Sequence, residues 1–384
     1  MTLPAGLRGR RSSSTRGSLL PEATEGTTTG LARAQGGGLK CLLISPADPL
    51  TGRPRAGPLR RFRHPPPGVE YTHVTDRVSV PTSTGQYTLS PVNLGLAAVK
   101  FALEHAFPLD ESRASMVHSF FWDVRKFTVP WVHESDQSLG QYLGGYNNIG
   151  GFVRKSITDG YSSYLNSRGC AGVVTWTEWA KRGFEADGVD QAKVAVVPPP
   201  FDALSVGRPH EGCNILFIGR DFARKGGDVV LGAFASLDAP GCRLNYVGRA
   251  QGKALDDIRS DRRISYFERA SHKALSEELW PFTDILALPT RADAFAMTVA
   301  EAMSRGIAVV STSLPSISEV VEDGVSGLLA PPGDAAGFAE RLARLAGDPS
   351  LRSKVGRAAQ ERVKARFSPE LIGRKLLDVY GRAA

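Results

Sequence analysis

The sequence predicts an α/β protein built from two doubly wound, parallel-sheet domains that face each other across a cleft. Three observations predict it. From residue 38 onward, short apolar runs alternate with amphipathic stretches, which is the pattern of parallel strands joined by helical crossovers. The series halts in a proline-rich stretch, "PPPFDALSVGRPHEG" (198–212), and then begins again. A chain of 384 residues is long enough to give each series its own core.

Bulk composition narrows the class. A hydrophobic share of 42% describes a globular chain, and no apolar run approaches the roughly 20 residues needed to cross a bilayer. Cys41, Cys170, Cys213 and Cys242 are scattered, with no C-x-x-C pair. They read as reduced, mostly buried thiols of a cytoplasmic protein, neither a zinc site nor a disulfide framework. The formal charge of +8 is local: residues 1–64 hold 11 Lys/Arg and 3 Asp/Glu, which accounts for all of it. The remaining body is neutral and carries no electrostatic argument for a nucleic-acid partner.

Taken in order, residues 1–37 are rich in Ser, Thr, Gly and Arg without hydrophobic period and read as a disordered tail. An organelle transit peptide has similar composition, whereas no apolar h-region follows that would make a secretory signal. The first domain, 38–198, offers strands at "LKCLLIS" (39–45), "VEYTHV" (69–74), "SMVHSF" (115–120), "FTVPWV" (127–132), "AGVVTW" (171–176) and "KVAVVP" (193–198), with a helix at 93–106. Residues 199–212 form the linker. The second domain, 213–366, opens with "CNILFIG" (213–219) and continues through "CRLNYVG" (242–248), "DILALP" (284–289) and "GIAVVST" (306–312). Residues 335–382 read as three helices, with Asp334 and Ser368 as N-caps and Gly347 and Gly381 as stops. The last of them, in 367–384, is expected to pack back toward the first domain. In such folds ligands bind at the C-terminal strand ends, here on the shared cleft.

Two stretches at those strand ends could do chemistry. "ILFIGRDFARKGGD" (215–228) is a strand, a cationic turn and a helix, without the spacing of a P-loop. Arg220 and Lys225 could clamp a diphosphate there; the alternative is a solvated loop in which Arg220 pairs with Asp221. "PTRADAFAMTVAEAMSRG" (289–306) carries Asp293 in a loop and Glu301 in a helix expected to begin near Thr298. Thr298-x-x-Glu301 fits a capping box, so Glu301 has a purely structural reading, and Asp293 alone reads as a turn residue. The same helix start offers the amides of residues 295–298 to a phosphate. "SLPSISEVVEDGVSGLLAPPGD" (313–334) adds a helix start (Ser316 to Glu319), an Asp323-Gly324 turn, a short strand at Leu328-Leu329 and a loop at Pro331-Pro332-Gly333.

In order and spacing, "FIGRDFARKGG", "LPTRADAFAMTVAEAMSRGIAVVST" and "SEVVEDGVSGLLAPPGD" resemble three consecutive blocks of the retaining GT-B glycosyltransferases, the glycosyltransferase family 4 or "glycosyl transferases group 1" type. "VHSFFWDVRKFTVPWVHESD" (117–136) and "VVTWTEWAKRGFE" (173–185) match more loosely. The resemblance implies a GT-B architecture and metal-independent transfer of a hexosyl unit from a UDP- or GDP-linked sugar to a glycan, a lipid or a small molecule, with no cofactor. It implies that Arg220 and Lys225 contact the donor diphosphate, with Gly219 beside them. The family's Glu-x7-Glu acids fall on Asp293, toward the sugar, and Glu301, on the nucleotide's ribose. The backbone of Phe295, Ala296, Met297 and Thr298 would face the donor, and His133 would lie near the reacting carbon, while His118 reads as structural.

Two departures from the family pattern stand out. Asp293 replaces the usual Glu, about 1.5 Å shorter in reach. Ala296 replaces the usual Gly, which would strain a backbone needing positive φ. The turn after the first strand also lacks the family's Gly-rich form, with only Gly52 or Gly57 to serve. Its five arginines (Arg53, Arg55, Arg60, Arg61, Arg63) could dock an anionic acceptor or an anionic membrane at the inner face, or simply form a mobile, solvated loop. Base selection is assigned to "ISYFERASHK" (264–273). Two other readings keep the fold: a sugar-nucleotide epimerase, or a non-catalytic paralogue that binds nucleotide sugars.

Overall fold

The computed structural model describes residues 38–46, 55–76, 109–121, 123–145, 151–204, 207, 210–239 and 241–383. The tail 1–37 and the helix expected over 93–106 lie outside the described residues.

The first sheet contains β1 (Leu39–Pro46), β2 (Val69–Asp76), β3 (Met116–Phe120), β4 (Trp131–Glu134), β5 (Cys170–Thr175) and β6 (Val194–Val196), all parallel in the order β2-β1-β3-β4-β5-β6. Most of β1 and all of β3 and β4 are buried, as strands covered on both faces must be. The strand predicted at 127–132 starts later, at Trp131, and runs on to Glu134. Pro130 has no N–H to give a ladder, so pairing begins only after it.

The second sheet contains β7 (Cys213–Ile218), β8 (Cys242–Val247), β9 (Ile264–Phe267), β10 (Ile285–Leu288), β11 (Ala308–Thr312) and β12 (Leu328–Ala330). It too is parallel, in the order β12-β11-β10-β7-β8-β9. Read from the other edge this is the 3-2-1-4-5-6 order of dinucleotide-binding folds, whose switch point lies between β7 and β10. The unexpected strand is β9: part of the stretch assigned to base selection forms the sheet edge.

Three helices follow, Ala335–Gly347, Pro349–Phe367 and Pro369–Tyr380. Asp334 accepts the Gly337 amide at 2.8 Å, as an N-cap should. Ser368 occupies its N-cap position without a side-chain bond, and Pro369 supplies the helix start instead. The last helix buries Ile372, Leu376, Val379 and Tyr380 against Val132, Val174 and Val197 of the first lobe. The larger core belongs to the second lobe and takes in Phe120, Phe121 and Trp176 from the first, so the lobes share packed surface. All four cysteines are free and buried, and burial pushes the Cys41 and Cys170 thiols up to about 12.

From Arg55 on, the arginine-rich stretch is not the solvated loop considered above; Arg53 lies outside the described residues. Residues Ala56–Arg63 form a helix, and Arg61 is fully buried inside the first lobe. Its Nε donates to both oxygens of Glu134 (3.1 and 3.0 Å) and its Nη2 donates to the Val197 carbonyl. Trp176 Nε1 donates to Glu134 Oε1 at 2.6 Å, and His118 Nε2 lies 2.9 Å from Oε2. Burial alone would raise the Glu134 carboxyl; Arg61 and His118 outweigh it and hold it below the usual carboxylate value. His118 Nδ1 in turn lies 2.6 Å from the Tyr380 hydroxyl, so the last helix joins the same buried network.

Candidate functional site

The switch point of the second sheet brings the two chemical stretches together. After β7 the chain passes Gly219, whose amide donates to the Val247 carbonyl at 2.8 Å, and makes one helical turn, Phe222–Lys225. Asp221 caps that turn by accepting the Arg224 amide at 3.1 Å, and it also pairs with the Arg224 guanidinium at 3.5 Å. Asp221 is therefore engaged with Arg224 in the way the sequence suggested for Arg220. Gly226 ends the turn at φ 75°, and a Cβ there would stand 2.1 Å from the Pro289 carbonyl oxygen. Only glycine permits this conformation and approach, which set Lys225 beside the loop after β10.

That loop is fastened from both sides. Arg224 Nη1 donates to the Ala292 carbonyl at 2.9 Å, and the Arg291 amide donates to the Arg224 carbonyl at 2.7 Å. From the other flank the Ser316 hydroxyl donates to the Asp293 carbonyl. Held between them, the Asp293 carboxylate forms an ion pair with Lys225 Nζ, both side chains mostly buried. Lys225 and Asp293, assigned to a donor's diphosphate and to its sugar, are direct neighbours. Arg220, which follows Gly219, is exposed.

The helix after the loop is Met297–Ser304, with Ala296 at the N-cap position and no side-chain cap. The capping box is absent: the helix starts one residue earlier than expected, so Thr298 lies inside it and Glu301 in its second turn. Glu301 Oε1 instead accepts from Arg60 Nη2 of the other lobe at 2.8 Å. Ala296 has φ −70°, so its side chain costs no backbone strain. The Met297 amide is taken by the Phe295 carbonyl at 2.7 Å, which removes it from the amides expected to face a ligand. The Phe295 side chain is buried between the lobes, edge-on to Trp176 (5.6 Å) and stacked with Phe201 (6.3 Å). The helix start expected at Ser316 to Glu319 is present as the helix Pro315–Val320, and Glu319 has a further role across the cleft. Glu319 receives the amides of Glu178 (2.6 Å) and Trp179 (2.7 Å), capping the first-lobe helix Glu178–Ala186.

On the first-lobe side, His133 in β4 is fully buried. Its Nε2 lies 3.0 Å from the Tyr161 hydroxyl, and its Nδ1 is buried without a hydrogen-bond partner. Burial brings its pKa down to about 4, so at neutral pH the ring is an uncharged imidazole. Gly57 packs on the Trp176 ring, where a Cβ would come within 2.5 Å, so it serves the lobe's core; Gly52 lies outside the described residues.

Two cleft residues escaped sequence reasoning. Asp136, two residues beyond β4 and half-buried, is pushed up to about 7 by burial; Arg55 opposes the rise and the Asp293 charge adds to it. Asp136 thus feels the second lobe's site from the first lobe. The signal was present in "HESD" but indistinguishable from an ordinary loop acid. Phe121, at φ 50°, holds a left-handed backbone just past β3, with the Arg55 guanidinium 5.4 Å from its ring centre. Bulky residues rarely accept that conformation, and no sequence pattern announces it. A cavity of ≈ 310 Å³ between the lobes is lined by Trp176, Phe295, Glu319 and Arg366 but by neither Lys225 nor Asp293.

Comparison with known proteins agrees with this architecture. Residues 212–348 match the family described as glycosyl transferases group 1. The chain is 32% identical over 203 residues to a phosphatidyl-myo-inositol mannosyltransferase of Mycolicibacterium smegmatis, covering 50% of each protein. It is 28% identical over 236 residues to a D-inositol 3-phosphate glycosyltransferase of Mycobacterium bovis, covering 55% of this chain and 48% of that one. The chain thus spans about half the length of the curated relatives it matches. Among solved structures, a sucrose-phosphate synthase of Thermosynechococcus elongatus superposes with TM-score 0.65 at 18% identity, over 90% of this chain and 98% of that one. HepE of Anabaena, solved in complex with UDP and glucose, gives TM-score 0.62 at 15% identity, over 89% and 99%. These two establish the fold alone: two Rossmann-like lobes in the GT-B arrangement. Residues 212–348 therefore resemble the glycosyl transferases group 1 family, and the two lobes share the GT-B fold.

Proposed function

We propose that the protein is a retaining glycosyltransferase that moves a sugar from a UDP- or GDP-linked donor to an acceptor such as a glycan, a lipid or a small molecule. The observation that carries the reading is the Lys225–Asp293 pair at the switch point of the second sheet, with Glu301 eight residues on. Sugar transfer builds negative charge on the departing diphosphate and positive charge at the sugar carbon. Lys225 has three N–H donors, so it can keep Asp293 and still meet a phosphate oxygen; the exposed Arg220 would add a second cation. These fixed cations would do the work of a metal, and none is invoked. Asp293 would accept from sugar hydroxyls, Glu301 from the ribose diol, and the amides of Phe295, Ala296 and Thr298, without Met297, would face the phosphates. His133, neutral, would offer Nδ1 toward the sugar side.

The relatives' printed names support the acceptor class: one acts on phosphatidyl-myo-inositol and the other on D-inositol 3-phosphate. We place the protein in the cytoplasm. No helix among the described residues is long and apolar enough to cross a membrane. Among the described arginines of 53–63, docking on an anionic membrane would run through Arg55 and Arg63, because Arg61 is buried and Arg60 is paired with Glu301; Arg53 lies outside the described residues.

The test is a thermal-shift and calorimetric panel of UDP, GDP, ADP and their sugars, followed by product analysis with and without acceptors. A specific response to one base, transfer with retained anomeric configuration, and its loss in Lys225→Ala and Asp293→Ala are expected. An epimerised nucleotide sugar from donor alone would overturn the reading.

A further inference from the structure

Both candidate donor acids are paired, but with cations of different origin. Asp293 pairs inside its own lobe with Lys225, whereas Glu301 pairs across the cleft with Arg60. Arg60 is not a stray surface arginine. Its neighbour Arg61 is locked to Glu134 and the Val197 carbonyl, which fixes the helix Ala56–Arg63. Its guanidinium lies 4.1 Å from the centre of the Phe201 ring, in the linker, and only 22% of its side chain is exposed.

The bond uses one carboxylate oxygen, Oε1. A ribose diol brings two hydroxyl donors, and holding both calls for both oxygens of one carboxylate. Arg60 already takes one acceptor position of Oε1, so an incoming diol must share that oxygen with the guanidinium or displace it. The other cross-lobe acid, Glu319, holds two backbone amides beside the inter-lobe cavity, away from Lys225 and Asp293, so no ligand at the switch point competes for it.

We propose that Arg60 is a residue of the nucleotide site supplied by the first lobe, a clasp that holds Glu301 and gives way to the ribose diol when nucleotide binds. Glu319 is then the fixed contact between the lobes and Arg60–Glu301 the exchangeable one. The proposal rests on the reading of Glu301 as the ribose acid.

The test titrates the full chain with UDP, GDP and the 2′-deoxy form of whichever binds, in wild type, Arg60→Ala, Glu301→Ala and the double variant. Releasing a half-buried ion pair should tighten Arg60→Ala binding about two- to fivefold for the ribonucleotide. That gain should vanish for the 2′-deoxynucleotide and in the Glu301→Ala background. Glu301→Ala alone should weaken ribonucleotide binding about tenfold or more. Thermal unfolding of each variant confirms that it is folded. If Glu301→Ala weakens binding but Arg60→Ala leaves it unchanged or weakens it, the clasp is wrong and the site reading stands. If Glu301→Ala has no effect, or no ribonucleotide binds wild type, the site reading falls and takes the clasp with it.

Discussion

Glu134 and Asp293 invite comparison, since one ends a parallel strand, the other lies in the loop just past one, and each is paired with a cation. Glu134 is saturated. Arg61 engages both its oxygens, Trp176 donates to one, His118 abuts the other, and none of the side chain is exposed. Asp293 holds one lysine on one oxygen and keeps 12% of its side chain exposed, in a loop fastened by Arg224 and Ser316. An ion pair by itself therefore does not mark a site. Spare hydrogen-bonding capacity, reachable from the cleft and held by a rigid surround, does.

The largest effect that would break this contrast is on stability. Glu134→Ala leaves the Arg61 guanidinium buried without a counter-charge, held only by the Val197 carbonyl, and should cost about 3–5 kcal/mol, read from chemical denaturation. Asp293→Ala should cost about 1 kcal/mol or less, because its partner can turn to solvent. If the two losses were equal, Asp293 would be as structural as Glu134.

Next comes activity, with the order reversed. Lys225→Ala should lower kcat for sugar transfer by about 10²–10³, the usual loss when one fixed donor to a developing charge is removed. Its unfolding midpoint should move little. A Lys225→Ala enzyme with full kcat and a collapsed midpoint would make the pair a strut.

How far the sequence foretold this arrangement depends on the distance between partners. The second lobe was legible because its signals are local: Asp334 caps three residues on, Gly226 ends a turn next to Lys225, and the blocks follow one another within 214–334. The first lobe hid its logic in long separations. Arg61 finds Glu134 73 residues away and Val197 136 away, and Arg60 finds Glu301 241 away. A run of arginines reads as a solvated patch until those partners are placed. The capping box at Thr298 failed for a related reason. A local pattern predicted a local bond, but a cation from the other lobe had claimed Glu301.

Asp136 gives a smaller effect with a definite sign. Its pKa in the folded protein is raised above the unfolded value, so between about pH 4 and 7 the folded state binds more protons than the unfolded one. Stability from this group is therefore lost as pH rises through that window, at up to about 1.4 kcal/mol per pH unit. Asp136→Asn removes the dependence. The difference in unfolding free energy between variant and wild type should grow in favour of the variant from pH 4 to 7 and level off above. A difference that stays flat with pH would mean that Asp136 titrates normally and that burial does not hold its proton in the folded protein.

The finest distinction concerns the missing methylene. Asp293→Glu extends the carboxylate by about 1.5 Å from a backbone that Ser316 and Arg224 hold in place, and Lys225 is long enough to follow it. If the acid faces the sugar, the longer arm should leave affinity for the bare nucleoside diphosphate within about twofold of wild type. It should shift the ranking of donor sugars by about tenfold in kcat/KM, since one methylene of misfit at a polar contact is worth about that much. Titration with the diphosphate and competition among its sugars separate the two. A loss of diphosphate affinity as large as that of Lys225→Ala would mean that Asp293 acts only through the lysine. It would then resemble Glu134 after all, a carboxylate whose task is to hold a cation in place.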